Sequence, residues 1–265
     1  MSTDDKLIVT LERGVKRITF NRPERRNAVD FEMFEAFAEA VEQSASDGTR
    51  VVVITGAGEA FCSGLDLSTV AAGDLARLDV AATVRDLINP PIMRMRSTSV
   101  PFIARVHGPV GGIGYSYVLA SDIRLGSTAA AFGQTFVRVG LMPDGGSTYF
   151  LSRLVGPARA FELMATGARL SAEEALGLGV LNRVVPFTEL DAAVEELASC
   201  LASAPQPALS HVKAALTRVE QEQLAAALEY EADGQAECFR SPDFREGVTA
   251  FMQKRAPIFG KSGQE

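Results

Sequence analysis

From Leu7 to Phe20 apolar and polar residues alternate on either side of Gly14, the pattern of a β-hairpin with a glycine turn. After "NRPERRNAVD", Asp30 stands where it would cap a helix whose Phe34, Phe37, Ala38 and Val41 fall on one face. The uninterrupted apolar run "VVVITG" (51–56) predicts a strand covered on both faces. Similar runs follow at "PFIARVHG" (101–108), "DIRLGS" (122–127) and "VLNRVVP" (180–186). Helical periodicity occupies roughly 112–121, 146–154, 157–165 and 171–177 between them. Residues 68–100 are rich in alanine and interrupted at Asn89-Pro90-Pro91, which reads as helix and loop. Beyond about residue 187 four amphipathic patterns succeed one another with no strand between them. The expected architecture is an α/β core followed by an all-helical tail.

Composition narrows the function. The chain has 265 residues, 47% hydrophobic and 22% charged, enough to bury a large core. No apolar run reaches the roughly 18 residues a membrane span needs, and "MSTDDKLIVT" lacks the basic-then-apolar order of a signal peptide. A net charge of −7 argues against nucleic acid as a partner, so any polyanionic small ligand needs a local basic cluster. Cys62, Cys200 and Cys238 are far apart, and two histidines, His107 and His211, are too few for a histidine-based metal site. These features predict a cytoplasmic, reduced protein with no metal.

Glycine clusters suggest chemistry. "VVVITGAGEAFCSGLDL" begins like a dinucleotide fingerprint, but Phe61 stands at the third glycine position and a second turn replaces the helix. Asp79, at about the distance of a ribose-binding acid, follows no strand. A different reading covers both clusters. "FCSGLDL" can present the Leu65 N–H after a strand, and "HGPVGGIGYSYVLASD" the Ile113 N–H at a helix start, where amides are unpaired. Two such donors converging make an oxyanion hole. Either cluster alone is equally explained by close packing of Gly111, Gly112 and Gly114. "GLMPDGGSTYFL" leaves a similar choice for Asp144, between turn punctuation and an acid/base group.

Six landmarks in order bear on that choice: "NRPERRNAV", "ITGAGEAFCSGLDL", "VHGPVGGIGYSYVLASDIRL", "AAFGQTFVRVGLMPDGGSTYFLSRLVG", "LSAEEALGLGVLNRVV" and "FMQKRAPIF". With these the chain resembles the crotonase family, the enoyl-CoA hydratases and isomerases, over nearly its whole length. The resemblance implies a spiral of ββα turns over residues 1–200 and a helical oligomerisation region over 201–265. It also implies a homotrimer or a dimer of trimers.

It further implies an acyl-CoA thioester substrate, with coenzyme A as part of that substrate and no permanently bound cofactor. The thioester carbonyl would lie between the N–H groups of Leu65 and Ile113. Arg25, Arg26 and Lys254 match basic positions that meet the phosphates of CoA, and Phe251 matches an aromatic residue that packs on adenine from a neighbouring subunit. Ser63 and Asp66 match the turn beside the adenine, Asp66 holding the loop. The two glutamates of the family's hydratases correspond to Ser116 and Phe136, neither of which serves as a base at neutral pH. Several isomerases of the family carry one carboxylate in a P-D/E-G-G turn, which here is Asp144. The expected activity is a double-bond or ring-epoxide isomerisation with Asp144 as the single acid/base group. Water addition with a non-standard acid/base set, or a non-catalytic acyl-CoA-binding role, are the alternatives.

Overall fold

The hairpin forms as expected, β1 (Leu7–Glu12) pairing antiparallel with β2 (Val15–Phe20). Both residues of its turn, Arg13 and Gly14, have positive φ, the hairpin geometry whose twist matches that of the strands. The computed structural model describes residues 5–72 and 78–260. From β2 the sheet continues in parallel through β3 (Val51–Gly56), β4 (Phe102–Val106), β6 (Ile123–Ser127) and β9 (Arg183–Val185).

Both faces of this sheet are covered, which is why its central strands read as continuous apolar runs. On one face Val51, Val53, Ile103 and Leu125 pack against α9 (Leu190–Ser203) through Leu190, Val194 and Ala198. On the other, Val52, Ile54, Ala104 and Val106 join the main core with α1 (Phe31–Gln43). The Asp30 side chain caps α1 by accepting from the Met33 N–H at 3.0 Å. Phe34, Phe37 and Val41 are buried as expected; Ala38 is only half-buried, and Ala40 enters the core instead.

A second sheet was not foreseen. β5 (Pro109–Gly111), β7 (Ala131–Gly133) and β8 (Arg169–Ser171) pair in that order, each only three residues long. Three residues carry too little periodicity to register as strands. The stretch 68–100 also differs from expectation. α2 (Leu67–Ala72) leads toward residues 73–77, part of that expectation and outside the described residues. α3 (Val80–Thr83), a π turn (84–88) and α4 (Asn89–Ser97) then run on without a loop. Pro90 and Pro91 lie in the first turn of α4 directly after the π turn, and the helical run passes through them unbroken.

α5 (Ile113–Ala120) is buried along its whole length. α6 (Ser147–Val155), α7 (Pro157–Thr166) and α8 (Ala172–Gly177) follow near their expected places. The tail is helical throughout: α9, then α10 (Gln206–Thr217), α11 (Gln221–Arg240) and α12 (Pro242–Met252). None of the described helices is long and apolar enough to cross a membrane. The apolar stripe of α11 folds back onto its own chain. Leu224, Leu228 and Ala232 join the main core, and α11 packs against α3, the π turn, α4 and α6. That face needs no partner subunit to cover it.

Candidate active site

Two loops leave the parallel sheet side by side. Phe61 N–H donates to the Pro109 carbonyl at 3.0 Å and Gly111 N–H to the Cys62 carbonyl at 2.9 Å, so residues 61–64 and 109–112 run in register. Asn27, fully buried, fastens the first loop by donating to the carbonyls of Ala57 and Ala60 at 2.9 and 2.7 Å. At the loop ends Gly64 and Gly112 face each other with φ of +105° and +52°. A Cβ on Gly112 would lie 3.1 Å from the Gly64 Cα, an approach that side chains would block. The next residues are Leu65 and Ile113, and neither of their N–H groups has an acceptor among the described residues. Ile113 opens α5, so its amide belongs to the unpaired first turn, where the helix dipole favours negative charge.

The Asp144 turn packs directly on this helix. A Cβ on Gly145 (φ +62°) would come within 2.5 Å of the Ile113 Cδ1 and 2.9 Å of the Ser116 Cβ. Ser116 is wholly buried, and its hydroxyl donates to the Asp144 carbonyl at 2.8 Å. Gln134 Nε2 donates to Ser147 Oγ at 3.1 Å, and Ser147 and Ser116 hydroxyls lie 2.9 Å apart. Each hydroxyl has one proton, so the chain runs in one direction, from Gln134 through Ser147 and Ser116 to Asp144. Ser116 is thereby a structural donor, and no base. Phe136, also buried, packs with Leu141, Phe244 and Val248 and against Leu65, forming an apolar wall.

The two oxygens of Asp144 differ. Oδ2 accepts from Gln235 Nε2 at 2.8 Å, while Oδ1 is buried without a partner. Burial pushes this carboxyl up to about 6, against the opposing pull of the Gln235 hydrogen bond. The turn reading of Asp144 predicts that its side chain caps neighbouring amides, but α6 has no side-chain cap from it. Those amides go to Glu231 on α11. Its Oε2 accepts from Gly146 N–H at 2.7 Å, and its Oε1 from Thr148 N–H at 3.0 Å and from the Thr148 hydroxyl. Glu231 is fully buried, and burial, with a lesser contribution from the Asp144 charge, pushes its carboxyl up to about 7.

Glu231 and Gln235 were missed in the sequence. They extend the buried face of α11 one and two turns past Leu228, and polar residues on such a stripe are the signal that could have found them.

The expected CoA residues fall in two groups. Arg25 donates to Ser68 Oγ at 2.9 Å and approaches Asp66 at 3.5 Å, and Ser63 Oγ donates to the Arg25 carbonyl at 3.4 Å. Asp66 is buried, pairs with Arg22 at 2.9 Å and accepts from Ser68, so it ties the loop together. Its carboxyl is lowered because those hydrogen bonds and the Arg22 charge outweigh burial, the largest single influence. Arg26 is exposed beside them in a left-handed conformation. Phe251 and Lys254 lie exposed at the end of α12, and no hydrogen bond or ion pair joins them to the Arg25 group among the described residues.

Two neighbouring loops of the parallel sheet end at N–H groups without acceptors, and a buried carboxylate turn packs on the helix that one of them opens, an arrangement chemically suited to holding an oxyanion and moving a proton. The model of the enoyl-CoA hydratase/isomerase family matches residues 10–262, and the chain belongs to that family of enzymes, which act on CoA thioesters. Among its relatives is the 1,2-epoxyphenylacetyl-CoA isomerase of Escherichia coli K12, 38% identical over 251 residues, covering 94% of this chain and 96% of the relative. A probable enoyl-CoA hydratase of Rhodobacter capsulatus is 37% identical over 249 residues, covering 94% and 95%. The crystal structure of an enoyl-CoA hydratase from Mycobacterium avium subsp. paratuberculosis K-10 superposes with a TM-score of 0.87 at 36% identity, covering 97% of this chain and 99% of that one. The fold is the crotonase fold.

Proposed function

We propose that the protein is an acyl-CoA isomerase that shifts a double bond, or opens a ring epoxide, next to the thioester with Asp144 as its one acid/base group. The observation that carries this reading is the unpartnered Oδ1 of Asp144, buried beside α5. The other carboxylate of the site, Glu231, has both oxygens occupied by amide and hydroxyl donors. Ser116 and Phe136, where the family's hydratases carry glutamates, supply no further base.

In the proposed reaction the thioester oxygen sits between the Leu65 and Ile113 N–H groups. Asp144 takes a proton from C2 of a 3-enoyl-CoA, and the negative charge spreads over C4, C2 and the thioester oxygen. The fixed donors stabilise that charge without reorganising. The protonated Asp144 then returns the proton to C4, leaving the double bond conjugated with the carbonyl. A carboxyl near 6 suits this exchange, since it is mostly ionised at neutral pH yet basic enough to accept a proton. Similarity to the 1,2-epoxyphenylacetyl-CoA isomerase supports the ring-epoxide form of the same chemistry. Arg25, Arg26 and Lys254 are proposed to meet the CoA phosphates, Ser63 and Phe251 to flank the adenine, and α10 to α12 to take part in oligomer contacts.

A panel of 3-enoyl-, 2-enoyl- and ring-epoxide acyl-CoA esters, with products identified by mass, tests this. Isomerisation without water gain is the expected result. Addition of water to 2-enoyl-CoA as the dominant reaction would overturn it, and turnover of none would indicate an acyl-CoA-binding protein.

A further inference from the structure

We propose that Gln235, on the C-terminal helix α11, is a positioning residue that dedicates Oδ2 of Asp144 to itself and so selects Oδ1 as the atom that moves the proton. The inference rests on the isomerase reading for its catalytic consequence, although its structural part stands apart from any activity.

The geometry is a grip on the turn from one helix. Gln235 Oε1 accepts from the Met142 N–H at 3.3 Å, and its Nε2 donates to the Met142 carbonyl at 3.1 Å as well as to Asp144 Oδ2 at 2.8 Å. One helical turn earlier, Glu231 holds Gly146 and Thr148. Residues 142, 144, 146 and 148 are thus all fastened to α11. Gln235 is 4% exposed, and an amide buried to that degree keeps its place only if its hydrogen bonds are made. A free carboxylate can rotate about its last bond and exchange its two oxygens. With Oδ2 pinned by a donor that is itself pinned to the backbone of Met142, that rotation is stopped. A base that takes a proton from one carbon and returns it two carbons away gains from a single oriented oxygen.

Basicity, raised chiefly by burial, is tuned downward by the same contact and by the residue's own backbone N–H. The Gln235 N–H favours the ionised form and opposes the desolvation that raises the carboxyl. The ionisable groups that feel the Asp144 charge are Glu231 on α11 and Tyr117 on α5, the latter pushed far up by burial and neutral at working pH. Cys62, beside Tyr117, is held neutral at about 12. Arg138, the basic residue of the short helix before the turn, is engaged with the Gly167 carbonyl at 2.8 Å. Removing the Gln235 donor should therefore move Asp144 upward in pH.

Two variants test this. Gln235→Met keeps the volume and loses the donor, and Gln235→Asn keeps an amide shortened beyond reach of Oδ2. Infrared titration follows the carboxyl band that wild type shows and Asp144→Asn lacks, independently of substrate. In both variants the band should titrate about one pH unit higher, the effect of losing one hydrogen bond to a charged group. The acid limb of kcat should move with it, kcat should fall about 10-fold or more, and KM should stay within about 3-fold. A band that titrates at its wild-type pH in both variants would overturn the inference, whatever their turnover. Should Asp144→Asn turn over 3-enoyl-CoA like wild type while the band still shifts in the Gln235 variants, the isomerase reading falls and the Gln235 contact stands.

Discussion

At the scale of single residues, Asp144 is held in a form that costs stability. Its carboxyl is raised from 3.8 to about 6 by burial, so between those values the folded state binds a proton that the unfolded chain has released. Stability from this group is complete below about 4 and is lost as the pH rises through 6. Glu231, raised to about 7, acts in the same direction over a slightly higher window. Asp144→Asn removes the first of these effects while keeping the size and an acceptor for Gln235. We expect it to be more stable than wild type at pH 8, by about 3 kcal/mol from a rise of roughly two pH units. The difference should vanish near pH 4. Urea denaturation at both pH values measures it, and a variant less stable at pH 8 would make Asp144 a structural residue. Loss of function with a gain of stability is the usual sign of a group kept for chemistry.

Among the elements, the glycine-framed loops carry the site. Gly112 pairs φ +52° with ψ −137°, a region closed to side chains, and its missing Cβ leaves room for the Gly64 backbone. Gly112→Ala should cost about 2 kcal/mol or more, because backbone meets backbone and neither yields cheaply. By displacing the Ile113 N–H it should also lower kcat about 100-fold. Gly177→Ala is the control. A Cβ there meets nothing within 4 Å, so its stability should stay within about 0.5 kcal/mol in thermal or chemical unfolding.

These loops also show what a sequence reveals. Long strands and helices were legible because their burial imprints a period: β3 is apolar throughout, and Asp30 announces α1. The loops that end at Leu65 and Ile113 were legible as glycine patterns in motif order. The three-residue strands of the small sheet left no such imprint, since they are defined by the chain they pair with. Glu231 and Gln235 stand out as polar residues on the buried stripe of α11, but the turn they hold lies about 90 residues away, so their partner was not legible.

On the scale of the whole molecule, the resemblance implies oligomer contacts through residues 201–265, but Leu224 and Leu228 within that region pack inside the chain and are not free for them. Among the large apolar side chains left exposed are Val212 and Leu216 on α10, Val219 just beyond it, Phe161 on α7 and Tyr230 on the outer side of α11. Leu216 is 69% exposed and Val219 78%, three residues apart at the end of α10. Together with the assembly that the resemblance implies, this predicts a trimer or a dimer of trimers built through those surfaces. Light scattering at micromolar concentration should return three or six times the 28.2 kDa of the chain. A stable monomer would contradict it. Leu216→Glu, exposed in the single chain, should weaken assembly without unfolding the subunit.

The proposed chemistry depends on Asp144 as the proton carrier, and one measurement reaches it directly. Turnover of 3-enoyl-CoA by Asp144→Asn, with solvent deuterium incorporation at C2 recorded beside it, separates proton transfer from binding. Asparagine fills the same space and accepts no proton at neutral pH. We expect both turnover and exchange to fall by about 10²- to 10⁴-fold, with CoA ester affinity close to wild type because the Leu65 and Ile113 donors are untouched. Turnover and exchange near wild-type rates would mean that the proton moves through another group, and that the buried, half-satisfied carboxylate of Asp144 has no part in the reaction.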